Sequence, residues 1–312
     1  MERIVIPGEA TYTPVALTDV LVAAPLASRL LLGATVPGRL LQAAALGLYA
    51  GSALKDWLAR HGVRRVDFGA EFGADVFDLR PMTREEREVE VRQLGEALND
   101  GYDGRRVSRS ESAQEVNRHL TAYIAAITGQ EVVTSSEVRD FNLSALIFPF
   151  AYGTCDILTG DIAIFRDAGI LEPHVLAHEF SHRKGYWKEL HAQVLAFLAL
   201  RNSGEPRLVQ AARAERLHRQ LRVLAGEDRP EFERMVDRLG LRGELEPAFR
   251  ALRPVPGYYE SMVGGAVRRL YDERMKLTGQ NGLSDYDEGF TNFLHTFGAS
   301  SQARQPSSHA DI

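Results

Sequence analysis

The chain has 312 residues, room for one large domain or two modest ones, and its 45% hydrophobic and 25% charged residues suit a globular protein with a real core. A net charge of −5 removes the electrostatic case for nucleic acid as a partner. The single cysteine, Cys155, excludes an internal disulfide and a cysteine-based zinc site, so His, Asp or Glu must supply any metal ligands. One unpaired thiol also suits a reducing, cytoplasmic location.

The start, Met1-Glu2-Arg3-Ile4-Val5-Ile6-Pro7, lacks the basic residues, apolar run and cleavage site of a secretory signal. From Val15 to Leu54 the chain is apolar, broken among charged residues only by Asp19, Arg29 and Arg39. Its longest charge-free stretch, Leu40 to Leu54, falls short of the roughly 20 residues that a spanning helix needs. Two readings stand: a pair of buried core helices, or a helical hairpin that inserts in or lies on a membrane. In a third, regulatory reading, residues 1–60 fold over a cleft and keep an enzyme latent. Val63 to Leu79 alternates loosely and holds Gly69 and Gly73, which predicts extended connecting structure. These features divide the chain into an apolar helical region at 1–80, a main domain at 81–299 and a polar, disordered tail at 300–312.

Thr83 with Glu86 forms a capping box that opens a helix running to about Asn99, before Gly101. Ser112 with Glu115 predicts a second such start, for a helix ending near Gly129. Ser144–Phe150 and Asp161–Phe165 are short, β-branched and aromatic, which predicts two antiparallel neighbouring strands. Pro149 confines the first to an edge or to its own end. Beyond Arg201 the pattern is helical, with helices expected near 206–225, 230–239, 244–252, 258–278 and 284–297. The arginines from Arg207 to Arg222 read as a solvated helix face.

Chemistry concentrates in Glu172-Pro-His-Val-Leu-Ala-His178-Glu179-Phe-Ser-His182-Arg-Lys-Gly185. Pro173 suits the first turn of a helix and Gly185 a left-handed ending. Between them His178 and His182 lie one turn apart on one face, a spacing that lets both imidazoles bind one zinc. Glu179 can then reach a water on the metal's open side as general base, the arrangement of metal-assisted hydrolysis. A catalytic zinc needs a third protein ligand. Lys188 occupies the position where one zincin group has a third histidine, leaving Glu189 and His191 as candidates. On one continuous helix Glu189 would lie about 10 Å from His182 along the axis, so the chain must turn back at Gly185. Lys188–Leu200 then reads as a second helix, whose stripe of Leu190, Val194, Phe197 and Leu198 suits a core contact.

Glu189-Leu-His-Ala192-Gln193 resembles the Glu-x-x-Ala-Asp/Asn signature of the gluzincins, with Gln193 in place of Asp or Asn. That resemblance implies Glu189 as the third ligand. Phe148-Pro-Phe150, the motif helix with Gly185-Tyr186, and the stretch from Tyr271-Asp272 through Lys276-Leu-Thr-Gly-Gln280-Asn-Gly282 to Tyr286 resemble, in the same order, a bacterial family of zinc-peptidase-like proteins. Members usually carry N-terminal transmembrane helices, which bears on residues 15–54.

The expectation is a predominantly helical α+β protein with a zincin-like catalytic domain and a small sheet beside the motif helix. It would be a Zn2+ metallopeptidase, with His178, His182 and Glu189 on the metal, Glu179 catalytic and a peptide or protein as substrate. The rivals are a zinc hydrolase of another amide or ester and a non-catalytic zinc-binding module. The strand at 161–165 could align an extended peptide by its edge. Tyr271 or Tyr286 could stabilise an oxyanion, although packing accounts for either one alone. Cys155 reads as a buried or strand-end thiol rather than a nucleophile.

Overall fold

The computed structural model describes residues 2–8, 32–33, 35–140, 151–156, 159–252 and 258–304. They form a mostly helical α+β structure with two small sheets. The expected strand at 144–150, with Pro149, lies outside the described residues, as do residues 15–31 and the tail beyond 304.

Strand β1 (Glu2–Val5) pairs in parallel with β2 (Gln130–Val133), an association between chain segments more than 120 residues apart that no local pattern announces. Helix α1 (Val36–His61) starts at Thr35, whose hydroxyl caps it. Among the described residues it is not enclosed as the first of the two readings, a buried core helix, requires. Val36, Leu40, Leu41, Leu46 and Leu54 are exposed, and burial is concentrated near its C-terminal end, at Ala53, Asp56 and Arg60. There Asp56 accepts from the Gly8 amide at 3.0 Å, and Arg60 Nε donates to the Arg183 carbonyl at 3.1 Å. No helix among the described residues is long and apolar enough to cross a membrane.

The segment expected to be extended holds a short helix, α2 (Phe68–Phe72), capped by Asp67, and only one isolated bridge, Asp75 to Asp78. Phe68 and Phe72 are buried, so tertiary packing overrides the loose alternation. Helix α3 (Arg84–Asp100) keeps its predicted capping box, with Thr83 and Glu86 each bonding the other's backbone amide. Helix α4 (Arg109–Thr128) starts a turn earlier than expected, with Ser108 and Glu111 as the box. Both serine–glutamate pairs satisfy the pattern. The interior serine, Ser112, is instead buried and accepts from Arg207 Nη1 at 3.1 Å.

The second sheet has the order β3-β5-β4, from β3 (Arg139–Asp140), β4 (Gly153–Cys155) and β5 (Ile162–Ile164). Strand β5 forms as predicted and has an antiparallel neighbour, but the neighbour is β4. Because β3 and β4 flank it, the strand within 161–165 is central, and among the described residues the edges of this sheet are β3 and β4.

Helices α5 (Glu172–Arg183) and α6 (Glu189–Arg201) pack against each other within the main core. Leu176, Ala177 and Phe180 share a core with Val116, Leu120 and Ile124 of α4 and with Leu190 and residues 194–200 of α6. A helix apolar on all sides must be enclosed, and α6 is. A second cluster joins Leu217 and Leu221 of α7 (Pro206–Ala225) to Phe232 and Val236 of α8 (Arg229–Arg238) and to Leu245 and Phe249 of α9 (Leu245–Ala251). Helices α10 (Tyr258–Leu277) and α11 (Glu288–Arg304) follow close to their predicted places.

The arginines of α7 are not a solvated face. Arg207 pairs with Glu115, Arg216 with Glu90, and both Arg219 and Arg222 with Asp287. The helix is central, so its long cations lie part-buried against carboxylates of neighbouring elements, their stems covering apolar surface.

Candidate metal centre

Pro173 falls in the first turn of α5, and Gly185 takes φ +98° after its end. That left-handed backbone, adopted at little cost by glycine, reverses the chain so that α6 returns beside α5. The exit is anchored on several sides. Lys184 is fully buried and its Nζ donates to Thr121 Oγ1 and to the Val132 carbonyl, each at 2.8 Å. Burial pushes its pKa down to about 7. Arg65 donates to the Gly185 carbonyl at 2.7 Å, and the Tyr186 hydroxyl donates to the Arg64 carbonyl at 3.1 Å.

This return brings His178, His182 and Glu189 together. His178 Nε2 and His182 Nε2 are 3.1 Å apart, and Glu189 Oε2 lies 3.1 Å from the first and 3.2 Å from the second. Three donors of a tetrahedral zinc, with bonds near 2.0–2.1 Å, would stand about 3.3 Å from one another. All three residues are buried, and no fourth side chain joins the group among the described residues. His182 Nδ1 donates to the Tyr186 carbonyl at 2.8 Å, which turns the lone pair of Nε2 toward the other two donors. The Trp187 ring lies parallel to that of His182, tilted by 6° at 6.0 Å. Nδ1 of His178 is buried with no protein partner among the described residues. Gln193 does not supply one, because its amide donates to Glu215 Oε1 at 2.6 Å. The donor set, its spacing and its burial therefore fit a metal ion of zinc's kind.

The electrostatics agree. Burial alone would lower the pKa of His182, but the Glu189 carboxylate outweighs it and pushes the imidazole up to about 9. Burial opposes ionisation of Glu189, yet the two imidazoles hold its carboxyl well below the usual range. A cation bound there would compete with protons for these donors. Glu179 is buried beside the triad, and desolvation raises its pKa above the ordinary value. Its Oε1 faces β4: a Cβ placed on Gly153 would come within 3.4 Å of it.

His191, the rival third ligand, turns elsewhere. Its ring stacks on Phe68 at 3.7 Å, and Nε2 donates to Asp75 Oδ1 at 3.1 Å. Cys155 ends β4, with burial pushing its thiol pKa far up, as a strand-end thiol should be. Glu115, His119 and Glu205 form a second, half-exposed group, but Glu115 already pairs with Arg207 and Arg118 stands 3.3 Å from His119 Nε2.

The least legible partners come from far along the chain. Tyr271 donates to Glu189 Oε1 at 2.6 Å, and Gln280 Oε1 accepts from the Glu189 amide at 2.7 Å. Behind α5 lies a buried polar network: Glu215 accepts from Gln193 and Arg219 and stands 3.8 Å from His174 Nδ1. Spacing carries no signal for these contacts. For Tyr271 and Gln280 the only hint was the resemblance of the 271–286 block.

Residues 168–294, which take in α5, α6 and the 271–286 block, match the family described as Protein of unknown function (DUF3810). Comparison with curated proteins and with solved structures found no match.

Proposed function

We propose that the chain is a zinc-dependent metallopeptidase of the zincin type. The observation that carries this reading is the convergence of His178, His182 and Glu189 within 3.2 Å of one another, with Glu179 buried alongside. His178 and His182 would bind through Nε2 and Glu189 through Oε2. Zinc held there would lower the pKa of a water and polarise a substrate carbonyl. Glu179, made more basic by burial, takes a proton on its carboxylate and passes it to the leaving amine. A peptide is favoured over a small amide because β4, an edge strand among the described residues, presents Gly153 next to Glu179. With no side chain there, an extended backbone can approach the base closely. A non-catalytic module would fill all four metal positions with protein, and the described residues supply three.

The test pairs metal analysis with turnover of a mixed fluorogenic peptide library, in wild type, Glu179→Gln and Glu189→Ala. Wild type should carry about one zinc and cleave, and Glu179→Gln should keep the zinc while losing at least about 100-fold in kcat. Glu189→Ala should lose the metal. A Glu179→Gln protein with full peptidase activity would sink the mechanism, and a wild type that takes up no divalent metal would sink the class.

A further inference from the structure

A carboxylate ligand has two oxygens, and whether one or both reach a metal decides how many positions are left for water and substrate. Both oxygens of Glu189 have partners. Oε2 faces the two imidazole nitrogens at 3.1 and 3.2 Å, while Oε1 accepts the Tyr271 hydroxyl at 2.6 Å. That length is typical of a charge-assisted O–H···O⁻ bond, among the stronger bonds a neutral donor makes. A tyrosine has one hydroxyl proton, and Tyr271 commits it to Glu189. The Tyr286 hydroxyl lies 3.4 Å from the Tyr271 oxygen and is itself hydrogen-bonded to Glu189.

The segment bearing these hydroxyls is itself braced. Asp272, next to Tyr271, accepts from the Leu283 amide at 2.7 Å and pairs with Lys276 at 2.6 Å. Asn281 bonds Asp285 and donates to the Val76 carbonyl at 3.0 Å. Gln280 holds the backbone amide of the same Glu189. One stretch of chain, 271–286, thus grips Glu189 at its backbone and at its outer oxygen. Turning Oε1 toward a metal would break the 2.6 Å Tyr271 bond.

We propose that Tyr271 is a positioning residue that confines Glu189 to binding through Oε2 alone, so that the fourth position of the metal stays open for water and substrate. This rests on the metal-site reading above. It assigns Tyr271 to the ligand carboxylate and not to an oxyanion.

The test loads wild type and Tyr271→Phe with cobalt(II), recording the visible spectrum, and measures zinc affinity by chelator competition. Wild type should give the intense absorption of a four-coordinate ion. Tyr271→Phe should still bind one equivalent, with the absorption weakened toward five-coordinate, and its zinc Kd should rise about 10- to 100-fold. A purely structural role would not move the spectrum of the folded, metal-loaded variant. X-ray absorption on zinc-loaded wild type needs no variant: a carboxylate bound through one oxygen supports the proposal, and one bound through two overturns it. Identical spectra and affinities for the two proteins would also overturn it while leaving the metal site standing. A wild type that binds neither ion removes the metal site and this inference together.

Discussion

Acid should weaken this fold, and His218 should carry an identifiable share of the loss. His218 lies on α7 at 1% exposure, edge-on to Phe232, with neither ring nitrogen paired to protein among the described residues. Burial lowers its pKa from 6.5 to about 3, reinforced by the neighbouring Arg219. The unfolded chain therefore takes up a proton near pH 6.5 that the folded protein refuses until about pH 3, so stability falls as pH drops through that window. Integrated between about pH 7.5 and about pH 4.5, one such group removes roughly 2–3 kcal/mol. His174, buried beside α11 and held down to about 4, acts in the same direction. Replacing His218 by Leu deletes its own contribution and leaves the other depressed histidines in place. Urea denaturation of metal-free protein across that pH range should then show the acid-dependent loss reduced by roughly 2–3 kcal/mol relative to wild type. The variant should also be about 1 kcal/mol more stable near neutrality, because an unpaired buried polar ring has been replaced by hydrocarbon. A pH dependence identical to that of wild type would refute the reasoning and show that the folded protein accommodates imidazolium at this position.

Two further outcomes follow from the turn and the rival ligand. Gly185→Ala places a Cβ on backbone at φ +98°, outside the range L-residues adopt comfortably, and should cost about 1–2 kcal/mol in denaturation experiments. Because that turn sets Glu189 against the histidines, zinc affinity measured by chelator competition should fall as well; unchanged affinity would mean the return does not depend on this residue. His191→Phe can keep the stack on Phe68 while losing the bond to Asp75, and it should retain a full equivalent of zinc. Loss of metal in that variant, with Glu189→Ala unaffected, would transfer the third ligand to His191.

Local chemistry was readable wherever a short stretch of chain contains its own answer. The Thr83–Glu86 box, Pro173 in the first turn of α5 and Gly185 beyond its end all depend on bonds within about four residues, and each formed as predicted. The spacing of His178 and His182 placed both on one face for the same reason. The sequence pattern at Ser112 predicts the start of α4, whereas Ser108 caps it and Ser112 is buried, and burial is a property of the whole molecule. The α7 arginines show the same limit. Their spacing resembles that of a surface helix, and only the placement of Glu90, Glu115 and Asp287 around them makes them internal. The exposed apolar side of α1 is the converse, since composition predicts burial and the described neighbours cover little beyond its last turns.

The sequence by itself determined the two histidines, the adjacent glutamate and the need for the chain to double back, because helical periodicity and the conformational freedom of one glycine settle those over about ten residues. Tertiary structure set Glu189, which the resemblance already implied, against the imidazoles and turned His191 away, and it alone decided that β4 rather than β5 lies at the edge among the described residues and that Tyr271 holds the carboxylate 82 positions away. Each of those outcomes turns on which distant surfaces pack together. Packing sums many weak contacts over the whole core, and no window of the chain contains that sum.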